Sequence, residues 1–465
     1  MALNESDIAH LIRRTEIIAT PARIAELAAL PTREAAVDSI LEKNSAGNPS
    51  TPVGTTKIFE LDGNTWEYIS DLRRWWLDEM AFGAQPLREK MTLFWQGHFT
   101  SSEESSGWFH HILFQFNLYR ANAFGNFREF TKLMSIEPLM LHYLNNDGNT
   151  KWERNENFAR ELLELFTLGL NHYGLISGQD APYTQADVVA ASKAWTGHNL
   201  QWYETKKSEY IFRSGSHLDE TITFLGKTGK FDNVAITKDY NEFSTIDHLL
   251  TTSPYNVIAA RYIATKLWSF FAYPNPDAAM IASIVDQTGF AMNMNIKALL
   301  RGILVHPSFY SDTAKLGLIA TPAEFVARGL AACGERRVTE TNHRLVDWYM
   351  ADMAQELFNP PNVAGWKQNA YWLSTSELGA RGNALRQIFD LPASQTKFAD
   401  LEGASVDAAI TEAARRLGIV SLQAQTRSNL TSWLTSERAR SGSSSAFRSS
   451  SLMHLLLMSP DLQLS

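Results

Sequence analysis

The sequence contains very little cysteine and no long apolar run. Cys333 is the only cysteine in 465 residues, which excludes a disulfide framework and a cysteine-based zinc site and disfavours thiol redox chemistry. A membrane-spanning helix needs roughly 18 or more consecutive apolar residues, and no such run occurs. We therefore expect no membrane insertion.

Positive charge is also scarce. Lys and Arg number 42 against 50 Asp and Glu, for a net charge of -8, and no basic cluster has the length of a nucleic-acid footprint. We expect no nucleic-acid partner. The opening residues "MALNESDIAHLIRRTEII" lack the basic start, apolar centre and cleavage site of a secretory signal, so the default expectation is a cytoplasmic protein. Export together with a signal-bearing partner is the alternative.

Motifs specific to a reaction are missing as well. No GxSxG, Walker A or GxGxxG occurs between a predicted strand and a helix, so the α/β-hydrolase, P-loop and dinucleotide classes have no support. The loop "NNDGNTKWERNE" resembles a calcium loop, but the position that needs a bidentate acid holds Arg154. No metal or cofactor class is indicated by these motifs.

What the sequence does contain is a strong helical pattern with abundant aromatic residues. Apolar residues recur three or four positions apart behind Ser, Thr and Asp caps, and 13 Trp and 25 Phe provide core volume. The pattern predicts a mainly α, multi-helical globular array with at most a small β-hairpin around "SGS", between Tyr210 and Phe224. We expect an N-terminal helical segment (1–50) packed on a main helical body (60–390), followed by a C-terminal helical segment (391–465).

The segment "PPNVAGWKQNAYWL" is expected to pack against the helical body. Its Trp366, Tyr371 and Trp372 would otherwise form an exposed aromatic patch.

An ordered set of motifs resembles a known family. They include "FWQGHFTSS", "GNFREF", "NENFARELLELFTLGL", "YTQADVVAASKAWTG", "AARYIATKLWSFFA" and "PPNVAGWKQNAYWLSTSELGARGNAL", and the set is similar to the bacterial domain of unknown function 1800 family over nearly the whole chain. The resemblance brings no assigned biochemistry. It implies that members often carry export signals and are commonly paired with a sulfatase-like protein, which is the partner we expect.

The stretch "NENFARELLELFTLGL" combines carboxylates with an apolar helix. Asn157, Glu161 and Glu164 fall on one helical face, while Glu156 and Arg160 form a favourable i, i+4 pair. Two carboxylates on one face can hold a divalent ion, or can divide acid and base roles if their pKa values differ. In the structural interpretation, they bind buried arginine or backbone groups.

Two distant histidines are candidates to join these carboxylates. His98 follows a predicted helix and His217 lies in the predicted hairpin turn. A lone histidine is usually a hydrogen-bonded structural group, but His98 and His217 converging on Glu161 and Glu164 would form a catalytic or metal site. The ligand-contact candidates are Asn155, Asn157, Arg160 and Asp187, although Asp187 also stands three residues after Thr184, the spacing of a capping box.

Two functions from different classes follow. One is a scaffold or binding partner whose polar residues form a buried network. The other is a metal-assisted or acid/base enzyme, hydrolase-like, that uses the Glu161 and Glu164 face with a divalent metal as the candidate cofactor. The scaffold or binding function is favoured, because no motif in the sequence is specific to a reaction. In both, we expect the polar face to point into a cavity shared with His98 or His217.

Overall fold

The protein is mainly helical, as the sequence predicts. A computed structural model describes residues 3–52, 65–102, 104, 109–203, 207–231, 244–336, 348–389 and 396–464. Within these ranges, helices are accompanied by only two small antiparallel sheets. Among the described helices, none combines the length and the apolarity that crossing a membrane requires.

The first helices begin at side-chain caps. Asn4, Thr20 and Thr32 each accept a hydrogen bond from the backbone N–H three residues later, which satisfies a donor that has no partner within the helix. The first five helices are α1 (Glu5–Glu16), α2 (Pro21–Ala28), α3 (Arg33–Ser45), α4 (Thr65–Phe82) and α5 (Pro86–His98).

The next helices surround the carboxylate-rich stretch. Glu137 caps one of them by accepting from the N–H groups of Leu139 and Met140. The set comprises α6 (Phe109–Asn122), α7 (Phe127–Ser135), α8 (Pro138–Tyr143), α9 (Asn157–Glu161), the π-helix Leu162–Thr167 that continues α9, and α10 (Gln185–Ala194).

The β structure differs in detail from the predicted hairpin. Strands β1 (His198–Tyr203) and β2 (Lys207–Phe212) pair with each other, as do β3 (Thr221–Phe224) and β4 (Lys227–Lys230). The "SGS" segment is not a hairpin turn but a short 3-10 helix, Ser214–Ser216, that connects the two hairpins. Its turn-forming residues suit both structures, so local composition did not distinguish them.

The remaining chain is helical again. Thr321 and Glu324 form a reciprocal capping box at the start of one helix. Short 3-10 segments cover Pro307–Tyr310, Asn369–Leu373 and Ala399–Gly403, and the helices are α11 (Thr245–Thr251), α12 (Tyr255–Phe271), α13 (Ala278–Thr288), α14 (Phe290–Asn293), α15 (Ile296–Val305), α16 (Asp312–Lys315), α17 (Pro322–Cys333), α18 (Met350–Asp352), α19 (Thr375–Phe389), α20 (Val406–Arg416), α21 (Ala424–Ala439), α22 (Ser445–Met458) and α23 (Pro460–Gln463).

Two hydrophobic clusters form the core. The first joins α1 and α3 to α5, α12 and α15, and includes the fully buried Trp95 and Trp268. The second joins α4 to α17, α19 and α22, so that Trp76 shares a core with Leu456. The second cluster therefore spans the predicted boundary at residue 390.

Buried arginines connect the helix ends. Arg14 donates to the carbonyls of Ala272 and Ala314, and Arg328 donates to those of Ile17 and Leu462. The last carbonyls of a helix have no intrahelical donor and carry partial negative charge, so a buried guanidinium stabilises them. These contacts fix how the helices meet.

The "PPNVAGWKQNAYWL" segment packs on the body through its two tryptophans. Trp366 and Trp372 are buried, but Tyr371 is 57% exposed, so the expectation that all three rings are buried was wrong for Tyr371. Gly365 adopts a left-handed backbone with φ of 83°, and a Cβ there would lie 2.6 Å from the Gly97 carbonyl oxygen. This close approach holds the segment against the end of α5.

Candidate functional site

A π-helix lies in the middle of the carboxylate-rich stretch. Leu162–Thr167 follows α9 with i to i+5 hydrogen bonding, as in the bond from the Leu168 N–H to the Leu163 carbonyl. A π-helical turn is rare and is frequent at functional sites. Here it places two carbonyls where side chains reach them: Leu165 accepts from the Tyr262 hydroxyl at 2.9 Å, and Phe166 bonds to His98 Nε2 at 3.0 Å.

Gly169 allows this arrangement. Its φ is 68°, and a Cβ at this position would lie 2.6 Å from Cδ2 of the Tyr262 ring. A backbone in the left-handed region together with a rigid aromatic ring at that distance requires glycine. The Tyr262 ring therefore packs directly on the backbone that ends the π-helix.

Glu161 and Glu164 lie beside tyrosines. Both carboxylates are partly buried, as are Tyr143 and Tyr183. The Tyr183 hydroxyl donates to Glu164 Oε2 at 3.4 Å. Glu161, Glu164, Tyr143 and Tyr183 together are named the acidic–tyrosine face.

Burial and neighbouring carboxylates raise the pKa values of three groups on this face. Burial, and next the charge of Glu164, raise the pKa of Glu161. Burial and the nearby Glu161 raise the pKa of Tyr143, while burial and Glu164 raise the pKa of Tyr183. The two hydroxyls thus stay protonated, and one carboxylate holds a proton more readily than an exposed glutamate does.

The charge of Arg160 opposes the rise in the pKa of Glu161, but burial and Glu164 outweigh it. Arg160 donates to Glu156 at 3.3 Å and to Gln185 Oε1 at 2.9 Å, so the expected i, i+4 pair with Glu156 is present. Within the described ranges, neither Glu161 nor Glu164 forms an ion pair with Lys or Arg. Two like charges therefore share a partly desolvated face.

Two ligand-contact candidates have structural partners, and a third is exposed. The Asn155 side chain accepts from the Asn157 N–H at 2.9 Å, and the Asn157 side chain is exposed. Asp187 completes the capping box with Thr184, and its other oxygen accepts from the Leu225 N–H at 2.8 Å. Both oxygens of Asp187 thus serve the backbone, and the ligand-contact role expected for it is replaced by capping.

The two candidate histidines also bond to the backbone. His98 is buried, bonds to the Phe166 carbonyl and lies 4.6 Å from the Phe99 ring centre. Burial and the charge of Lys266 lower its pKa well below the usual value, so the ring is neutral. His217 Nδ1 bonds to the Thr196 carbonyl at 2.9 Å. His98 thus contacts the backbone of the carboxylate-rich stretch and not the carboxylates of that stretch.

The expected four-residue set therefore does not assemble. In the part of the chain that the structure describes, no group of three or more His, Cys, Asp and Glu side chains could hold a metal ion. Each histidine bonds a backbone carbonyl through one ring nitrogen, and the side-chain partner of Glu164 is Tyr183 instead.

Tyrosines and one lysine were missed by reasoning from the sequence. Tyr183 and Tyr262 lie inside two of the quoted motifs, "YTQADVVAASKAWTG" and "AARYIATKLWSFFA", but nothing in their spacing linked them to the glutamates. Lys266, one turn after Tyr262, has its ammonium 5.5 Å from that ring centre. Although part of its side chain reaches solvent, burial lowers the pKa of Lys266 to about 8.

Comparison with known proteins gives one match. The family model described as "Protein of unknown function (DUF1800)" matches residues 10–464. Neither the curated proteins nor the solved structures contain a match to the chain.

Proposed function

The chain belongs to the DUF1800 family of proteins of unknown function, and from that premise we propose that it is a binding protein whose acidic–tyrosine face receives a cationic group. The observation that carries the proposal is the pair Glu161 and Glu164, which share a partly buried face without a described lysine or arginine partner. Like charges in a partly desolvated setting disfavour each other, and a bound cation relieves this.

The tyrosines favour an organic cation. Their rings border the carboxylates, and an ammonium or guanidinium group gains by lying over an aromatic face. The hydroxyls of Tyr143 and Tyr183, kept protonated by burial and the nearby carboxylates, add hydrogen-bonding groups at the same place. A lysine or arginine side chain of a partner protein has this chemistry.

A rigid frame supports a binding role. Buried ion pairs join the helices of the body, such as Glu89–Arg120 and Lys90–Glu324, with N–O distances of 2.7 and 2.5 Å. Such networks hold helices in one arrangement. A face held rigidly loses little conformational freedom on binding.

The sulfatase-like protein implied by the family resemblance is the partner to test first. Under this proposal it presents a basic side chain to the acidic–tyrosine face. The rate at which it associates then falls with added salt, because the attraction between exposed charges at long range is screened.

Calorimetric titration with spermidine and with a tetralysine peptide tests the cation site. We expect both to bind, and Glu161→Gln to weaken binding tenfold or more because it removes one of the two charges. Glu153→Gln is the matched control, since Glu153 is exposed and lies just before the same helix. Equal affinities for the wild type and Glu161→Gln would contradict the proposal. Tight binding of a divalent metal without binding of the organic cations would overturn the proposal of an organic cation and assign a metal to this face.

Acid/base catalysis by the same face is the second candidate. The raised pKa of Glu161 beside a second carboxylate favours it, since a carboxylic acid that holds its proton more readily is better suited to act as a general acid. A divalent metal held by Glu161 and Glu164 would add Lewis-acid chemistry.

A panel of nitrophenyl esters and phosphates separates the two candidates. Under the enzyme hypothesis, Glu161→Gln and Glu164→Gln each lower the rate by two orders of magnitude or more. Because a general acid must be protonated to act, the fall of the wild-type rate as the pH rises through the pKa of Glu161 should disappear in Glu161→Gln. Activity that is unchanged in both variants would exclude catalysis at this face.

A further inference from the structure

A cavity separate from the acidic–tyrosine face opens between α6, the α7–α8 junction and β2. Its volume is about 450 Å³, within the range of small-molecule sites. Phe114 and Leu118, one turn apart on α6, line it together with Leu133 and Ile136. Phe114 is 56% exposed and Leu133 is 40% exposed, so an apolar surface is open to solvent at the mouth.

The cavity also contains acidic and hydrogen-bonding groups. Glu137 lines it together with Ser208, Glu209, His110 and His111. Ser208 joins the hairpin to α6, because its hydroxyl bonds to His111 Nε2 at 2.5 Å and its N–H donates to His110 Nε2 at 3.2 Å. Burial lowers the pKa of His111 to about 3, so this ring carries no charge at neutral pH. Among the described residues, no lysine or arginine lines the cavity.

Glu137 has one acceptor position left. Its Oε1 accepts from the Leu139 N–H at 3.1 Å, and its Oε2 accepts from the Met140 N–H at 2.8 Å and from Gln115 Nε2 at 2.7 Å. An ionised carboxylate offers about four lone-pair sites, so three donors leave one site, on Oε1. The carboxylate itself is 1% exposed.

The charge of this group is only partly stabilised by the protein. Burial raises the pKa of Glu137 to about 7 even though the three donors oppose the shift. A ligand that brings positive charge would favour the ionised form and would supply the missing donor.

We propose that this cavity binds a small amphiphilic cation, such as an alkyl or aryl amine, with its apolar part between Phe114 and Leu133 and its ammonium group on Glu137 Oε1. Charge complementarity selects this class. An anionic amphiphile such as a fatty acid would place its carboxylate beside Glu137 and Glu209 with no described cation in the lining, which costs desolvation without a compensating ion pair.

Calorimetric titration at pH 8, where Glu137 is mostly ionised, tests the proposal with three probes of equal chain length below their micellar concentrations. Octylamine should bind most tightly, octan-1-ol more weakly, and octanoate at least tenfold more weakly than octylamine. Equal affinity for octylamine and octanoate would overturn the proposal, because apolar partitioning alone would then explain binding. Failure of all three probes to bind would overturn it too, and would leave the exposed apolar wall to a protein partner.

Variants locate the site. Leu133→Arg puts a positive charge at the mouth, so we expect it to weaken octylamine binding tenfold or more and to strengthen octanoate binding. Leu455→Arg is the matched control, because Leu455 is 38% exposed on α22, far along the chain from the cavity; it should change neither. Loss of octylamine binding in the control alone would contradict the location.

A further variant separates this site from the acidic–tyrosine face. Glu137→Gln keeps one acceptor for the α8 cap and should abolish the preference for octylamine over octan-1-ol. The same variant should bind spermidine, which has no apolar tail for the cavity, as the wild type does. If Glu137→Gln kept the preference for octylamine, the cation would be binding elsewhere, and the proposal for the cavity would fail. Should Glu137→Gln not fold, Leu133→Arg still decides the outcome.

Discussion

The ion pair between Glu89 and Arg120 gives a prediction that can be worked through in detail. Arg120 Nη2 lies 2.7 Å from Glu89 Oε1, and the two side chains are 1% and 2% exposed. The guanidinium carbon also lies 4.9 Å from the Trp75 ring centre. Replacing Arg120 with methionine keeps much of the apolar volume but leaves the Glu89 carboxylate buried without its charge partner.

The expected loss of stability is large. Removing one partner of a buried pair costs roughly 3–5 kcal/mol, because the remaining charge is desolvated and uncompensated. An unfolding entropy of about 2.1 cal/mol/K per residue gives about 1 kcal/mol/K for a cooperative transition of 465 residues. Arg120→Met should therefore lower the melting temperature by about 3–5 °C.

The defect should also depend on pH. Burial already raises the pKa of Glu89, and Arg120 is the main charge that opposes this shift, so the variant raises the pKa further. Between the unfolded value of about 4.3 and the folded value, the folded state binds more protons, and stability falls as pH rises. The loss should thus be greater at pH 7 than at pH 5.

Calorimetry and urea unfolding at both pH values measure these effects. Arg128→Met is the control: its pair with Glu129 is half exposed, so the expected loss is below about 1 kcal/mol. The double variant Glu89→Met with Arg120→Met should recover most of the stability, since neither charge of the pair remains. A loss no larger than that of the control, or a larger loss at pH 5, would refute the reasoning.

Three other variants test the region around the π-helix. Gly169→Ala should cost roughly 2–4 kcal/mol in thermal unfolding, because it combines a left-handed backbone with a contact to the Tyr262 ring; a loss below 1 kcal/mol would show that the ring moves freely. Reductive methylation with labelled formaldehyde should give a Lys266 resonance that titrates near pH 8, absent in Lys266→Arg, whereas an ordinary lysine titrates near 10.4. Thr184→Ala removes half of the capping box with Asp187 and should cost about 1 kcal/mol in urea unfolding; no change would mean that the cap is not formed.

Part of the candidate site could be predicted from the sequence. Helical spacing placed Glu161 and Glu164 on one face and paired Glu156 with Arg160, since such neighbours are fixed by the local helix geometry. The capping box at Thr184 followed from spacing in the same way. The π-helix could not be predicted from spacing. It depends on Tyr262 and His98, which bond to carbonyls of the π-helix from distant parts of the chain.

The remainder of the site depends on contacts between segments far apart in the sequence. His98 bonds to the backbone of Phe166, and Tyr262 bonds to that of Leu165. The partners in each pair are far apart in the sequence, and helical spacing predicts contacts only between near neighbours. The same is true of Glu137. It caps α8, accepts a hydrogen bond from Gln115 on another helix, and lines an apolar cavity.

The sequence by itself determined the helical class, the caps and the local pairs, because these depend on neighbours within one or two turns of the chain. Only the tertiary structure decided which polar groups became buried structural partners and which remained partly exposed. Arg14, Arg328 and His98 were drawn to distant backbone carbonyls, since a buried donor or acceptor must find a partner wherever packing provides one. Glu161 and Glu164 lie on a partly buried face where, among the described residues, a tyrosine donates to Glu164 and no lysine or arginine forms an ion pair with either carboxylate.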